Sequence, residues 1–217
     1  NIGISNILLT LIYFLSNSLN SQTSNKNNLI DYSIYSLQDL YTAPSNWDGR
    51  DYVSFVLSFS VFTLAYTHDR EIMDFIQSQK GDFSNKLAFV GEKWGNGAYV
   101  GGLYATIGLA SVVFPEKEQL KDIFHQGSIS ALYTSVVIMG LKHLIQRKRP
   151  HMTQNPYEFG SILEKPHYHS LPSGHTAMAF SLASVIEMNT NSKVLGFLAY
   201  SMAGVTAWSR MHDHKHW

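Results

Sequence analysis

Cysteine is absent from the 217-residue chain. Its absence excludes disulfide staples, Cys-ligated zinc, iron–sulfur clusters and a thiol nucleophile, and leaves the compartment open. Net charge is missing as well: 16 Lys and Arg balance 16 Asp and Glu, and the pI is near 7.3. A broadly basic surface for nucleic acid is thereby excluded. Charged residues of either sign are scarce, at 15%, yet 45% hydrophobic content excludes a disordered chain. The mean hydropathy of −0.08 argues against a chain made mostly of strongly apolar membrane spans. Histidine, by contrast, is abundant: there are ten, four of them from His175 to His216. That density near the C-terminus asks for a chemical explanation.

Long apolar runs are few. Ile7–Leu15 is one, too short to span a bilayer comfortably, and a Ser/Asn-rich stretch, Ser16–Asn28, follows it. The pattern reads as a signal peptide or N-terminal anchor over residues 1–20, with a buried helix as the alternative. Residues 21–50 read as a flexible linker and lead-in. From Asp51 the chain alternates between long uncharged segments and short polar joints. Tyr52–Thr67, Trp94–Pro115, Ile123–Leu141, Thr176–Met188 and Val194–Trp208 are too long for typical strands. They predict an all-α fold, either the inner helices of a bundle or modest transmembrane helices. Gly95, Gly97, Gly101 and Gly102 predict a loop or a close helix contact.

Three polar joints carry the candidate chemistry. Lys142 and Arg149 are seven residues apart, two turns of helix, which predicts both cations on one face just before Pro150. Such a pair can clamp an oxyanion, or can offset the helix dipole or mark a cytoplasmic flank. Pro172-Ser173-Gly174-His175 opens a helix, with Ser173 as N-cap and free amides ready for an anion. His175 there can exchange a proton with a group held beside it. Ser209-Arg210 leads to His212, His214 and His216. Alternation would align these histidines for a metal only on a strand. The preceding segment reads as helix, so no metal site is expected and solvated histidines are the commoner reading.

Taken in order, K-x6-RP at Lys142–Pro150, PSGH at Pro172–His175 and SR-x5-H at Ser209–His216 resemble the type 2 phosphatidic acid phosphatase superfamily. That superfamily includes bacterial non-specific acid phosphatases and vanadium-dependent haloperoxidases. Nine residue identities at fixed spacings carry the likeness, which runs from roughly Asp51 to the end. It implies a bundle with six core helices in which the joints meet at one pocket. The catalytic domain is then 51–217, C-terminally truncated, with the last core helix missing. The family also places an Asp four residues after the histidine to orient it, beyond the last residue, Trp217.

Carried over by position, the resemblance makes His216 the nucleophile that forms a phosphohistidine. Lys142, Arg149 and Arg210, with Ser173 and the Gly174 amide, would bind the phosphate oxygens, and His175 would be acid and base. The implied enzyme is a metal-independent phosphoric ester hydrolase acting on phosphomonoesters or pyrophosphates, of lipid-linked substrates. It would need no cofactor, vanadate serving only as inhibitor. Alternatives are an acid phosphatase for small soluble esters, a haloperoxidase with vanadate as cofactor, or a non-catalytic lipid-binding homologue. Expected partners are a phosphorylated lipid or small phosphoester and a membrane or membrane surface, without nucleic acid. The resemblance implies an extracytoplasmic site in a bacterium, periplasmic or within the membrane. Arg147–Arg149 pulls the other way, as a cytoplasmic flank. The segment Met152–Ser170 is expected at the pocket mouth. There Tyr157, Phe159, His167 and Tyr168 either meet an acyl chain or pack on the bundle, and His212 and His214 are expected at the rim or surface.

Overall fold

Polar joints become caps, and the uncharged segments between them become helices. The computed structural model describes residues 33–34, 37–38, 42–161 and 169–217, so the N-terminal run, most of the linker, His167 and Tyr168 lie outside the described residues. A short 3-10 turn, Ala43–Asn46, leads into α1 (Gly49–Thr67), where Asp48 and Asp51 form a capping box. Then come α2 (Asp69–Ser78), α3 (Asp82–Trp94) and α4 (Gly97–Val113). The long α5 (Glu118–Ile145), α6 (Gly174–Met188) and α7 (Lys193–His212) complete the set. Asn96, Ser173 and Ser192 cap α4, α6 and α7 through their side chains. The described residues are all-α, with a single isolated bridge between Arg147 and Phe159.

α6 is the axis of the assembly. It packs against α7 and α5, with lesser contacts to α3 and α4, while α3 lies along α7 and α4 along α5. Ala179 and Ala183 of α6 meet Ala199 and Ala203 of α7, small side chains that let the two helices approach closely. On the other side Met178, Leu182 and Val185 pack with Val100 and Tyr104 of α4. Gly127 on α5 fits beneath Tyr104, whose ring would lie 2.0 Å from any Cβ there. The five expected segments are therefore five of the seven α-helices named among the described residues. The other two, α2 and α3, carry enough charge to have been read as joints, yet each keeps an apolar face.

The first joint corrects an expectation. α5 ends at Ile145, and Gln146 adopts a left-handed conformation (φ 51°) that closes the helix. Arg149 is thus in the following loop, not two turns along the helix from Lys142. The early stop turns Arg147 inward, where its Nη2 meets Asp69 Oδ2 at 2.5 Å and its Nε donates to the Pro156 carbonyl. Its guanidinium also lies over the rings of Tyr66 and Trp217. Lys148 pairs with Glu158. Two of the three cations of the supposed cytoplasmic flank are neutralised internally. Tyr157 packs on Tyr66 and donates to the Thr67 carbonyl, so its role is to hold the loop on α1.

Candidate active site

Three helix ends converge: the C-terminus of α5, the N-terminus of α6 and the C-terminus of α7. Each leaves backbone groups that its own helix cannot satisfy. Lys142, on the last turn of α5, donates through Nζ to the His169 carbonyl at 2.8 Å. Gly174, in the first turn of α6, lies against Lys142: a Cβ there would stand 4.0 Å from Lys142 Cε. Ser173 accepts from the Thr176 amide at 3.3 Å as N-cap, which leaves its hydroxyl proton to donate elsewhere. Arg210, in the last turn of α7, is buried and touches Asp213 at 3.5 Å. Its Nε is buried without a hydrogen-bond partner among the described residues. An orphaned donor of this kind costs about 1–3 kcal/mol until an acceptor meets it.

His216 is reached by a turn beyond α7, in which the amides of Lys215 and His216 both donate to the Arg210 carbonyl. The ring is 6% exposed, and Nδ1 donates to the Ser170 carbonyl at 2.5 Å. Because a carbonyl can only accept, that bond fixes the tautomer with the proton on Nδ1 and a lone pair on Nε2. The Ser170 carbonyl thus orients the imidazole ring. Burial, then the positive charge of Lys142, hold His216 well below its ordinary value. Arg149 and Arg210 add to this, against the hydrogen bond to Ser170. A neutral imidazole among cations has the chemistry that nucleophilic attack on an anionic group would need.

His175, in the first turn of α6, faces charges from three other helices. Burial and Arg210 lower its proton affinity, with a lesser push from Lys142, and Glu92 on α3 raises it. Nε2 lies 3.6 Å from Glu92 Oε1. A cavity of about 440 Å³ opens beside this cluster. Its lining includes Lys142, Gly174 and His175 together with the apolar Ile138, Met139 and Met178. The structure therefore brings together Lys142, Arg149, Gly174, His175, Arg210 and His216, with Ser173 at the same helix start.

Residues 127–217 match the family model described as PAP2 superfamily. This part of the chain is similar to the PAP2 superfamily. No curated protein and no solved structure matches the chain. PAP2 proteins are generally phosphatases, and the matched stretch contains all three joints and begins within α5. Within this PAP2 region, His212 is a correction: it is buried at 4% exposure, Nδ1 near Asp213 Oδ1 at 3.1 Å, and not at the rim. His214 instead takes a positive φ of 55° in the turn, and its carbonyl accepts from His151. Glu92, Ser170 and the His169 carbonyl were not anticipated. Two of the three act through backbone oxygens, which no side-chain pattern reveals. Glu92 had a faint signal, a carboxylate three residues before Gly95 in a segment otherwise poor in acid.

Proposed function

We propose that this protein is a metal-independent phosphatase that hydrolyses phosphomonoesters or pyrophosphates of lipid-linked substrates through a phosphohistidine on His216. The observation that carries the reading is the state of His216: buried, neutral, held by Ser170 through Nδ1 and surrounded by Lys142, Arg149 and Arg210. Nε2 attacks phosphorus as the bond to the leaving oxygen breaks. Charge on the three non-bridging oxygens is met by Lys142, Arg149 and Arg210, with the Ser173 hydroxyl and Gly174 amide as further donors. These cationic side chains supply the electrostatic stabilisation that a metal ion provides in other phosphoryl-transfer sites. His175 gives its proton to the leaving oxygen. As the resulting base it takes a proton from the water that attacks phosphorus, releasing phosphate and restoring His216.

The lipid part of the reading rests on the apolar flank of the cavity. Ile138 and Met139 of α5 and Met178 of α6 share the cavity wall with Lys142 and His175 and would accept a hydrocarbon chain. α5 is also long and apolar enough to cross a membrane, with only 22% of its apolar window buried. We place the enzyme at a membrane, with its site on the extracytoplasmic side. Hydrolysis of a long-chain lipid phosphate and of p-nitrophenyl phosphate, each in excess EDTA and with added vanadate, tests the assignment. Metal-insensitive, vanadate-blocked turnover favouring the lipid is expected. Preference for the soluble ester would move the assignment to an acid phosphatase, and strict metal dependence would contradict it.

A further inference from the structure

Glu92 reaches the site because α3 is fixed against both motif-bearing helices. Thr206 Oγ1 of α7 donates to the Gly91 carbonyl at 2.8 Å. At Gly95, which caps α3, a Cβ would stand 2.3 Å from the His175 carbonyl and 2.5 Å from Thr206 Cγ2. Only glycine permits this approach, and it delivers the last turn of α3 to the start of α6. The carboxylate is itself held in place: Lys93 contacts Oε2 at 3.0 Å and Asn96 donates to Oε1 at 3.3 Å. Oε1 is also the oxygen that faces His175 Nε2. Among the described residues, the charged groups facing His175 are Glu92 from α3, Lys142 from α5 and Arg210 from α7.

We propose that Glu92 is a positioning residue for His175, anchoring its imidazole through Nε2 and supplying the negative charge that keeps a proton on it between two cations. The inference rests on the acid–base role given to His175 above. A pocket built to bind phosphate is hostile to an imidazolium, because Lys142 and Arg210 repel it and burial strips its water. The general acid needs a local counter-charge, and a carboxylate on a different helix, 3.6 Å from Nε2, meets that need. No step consumes Glu92: it neither gives nor takes a proton.

The test compares the full chain with E92Q and E92D, following the His175 ring proton by NMR and identifying it with H175N. In E92Q the His175 titration is expected to fall by about one pH unit. The alkaline limb of kcat should move down with it, while vanadate affinity stays within about twofold. An alkyl phosphate, whose poor leaving group needs the acid, should lose roughly tenfold more than p-nitrophenyl phosphate. E92D should restore most of the titration and the rate. An unchanged His175 titration in folded E92Q overturns the proposal, as does an equal loss on both substrates that E92D fails to rescue. Should E92Q lose its fold, E92A read in the same way decides: a lowered His175 titration supports the coupling and an unchanged one contradicts it. A wild type that hydrolyses neither ester, yet whose His175 titration still falls on E92Q, refutes the phosphatase reading and upholds the Glu92 coupling.

Discussion

α1 and α6 look alike as sequences, both uncharged over most of their length with Ser scattered among apolar residues, yet they lead opposite lives. No residue of α1 is buried, whereas eight of the fifteen in α6 are. The difference lies in side-chain size. α6 carries Ala177, Ala179 and Ala183 where neighbours must come close, and hydrogen-bonds its buried Ser181 to Ser130 at 2.7 Å. α1 carries Val56, Leu57, Val61 and Leu64, all more than half exposed. α4, α5 and α7 repeat the pattern, turning Leu109, Val136 and Phe197 outward. Small and polar groups fill the contact between α6 and α7, while many large apolar ones on the other helices face the surroundings. Such an arrangement leaves the interior free to hold cations and histidines on rigid helices, and gives the periphery a face suited to lipid.

The largest effect expected from disturbing the centre is chemical. His216→Ala should lower kcat by on the order of 10⁴-fold or more, measured on any phosphoester the wild type turns over. Arg210→Ala, which removes one oxygen-binding cation, should cost roughly 10²- to 10³-fold. Retention of full rate by either variant would refute its assignment. Next in size is the buried pair. Arg147→Ala leaves Asp69 charged without a partner and should destabilise the fold by about 3–5 kcal/mol in urea denaturation. Trp217, which the same guanidinium supports, should then become accessible to a fluorescence quencher.

The contrast between the helices is sharpened by paired substitutions. Ala203→Leu, at a fully buried contact between α7 and α6, should cost roughly 1–3 kcal/mol through overpacking. Val61→Ser on α1 should change folding stability by no more than about 0.5 kcal/mol. Equal penalties would mean that α1 is covered as tightly as α6. The smallest effect is that of pH. His216 binds a proton less readily when folded than when unfolded, so the unfolded state gains protons first as pH falls. Stability is therefore undiminished above about 6.5 and declines below it. His216→Gln should flatten that decline, and an unaltered slope would show that other groups cause it.

The helical class was legible because five uncharged segments were too long for strands, and the site was legible because its side chains sit at fixed spacings in joints. α2 and α3 were missed because amphipathic helices of ten and thirteen residues look like polar connectors when read for hydropathy alone. Lys142 and Arg149 were placed on one helix face by counting turns. Gln146 breaks the helix between them, a left-handed stop that few residues other than glycine announce. Arg147 misled for another reason: a cation beside two others suggests a solvated flank, and only the fold shows Asp69 waiting for it. The support of His216 was illegible in principle, since Ser170 acts through its carbonyl.

Rapid acid-free quenching of the wild type with phosphorus-32-labelled substrate, followed by proteolysis and mass analysis, addresses the central assignment. An acid-labile, alkali-stable phosphate on His216, absent from His216→Ala, is the predicted result. Label on Ser173 or His175, or turnover with no label on His216 under conditions that trap half the enzyme, would contradict it.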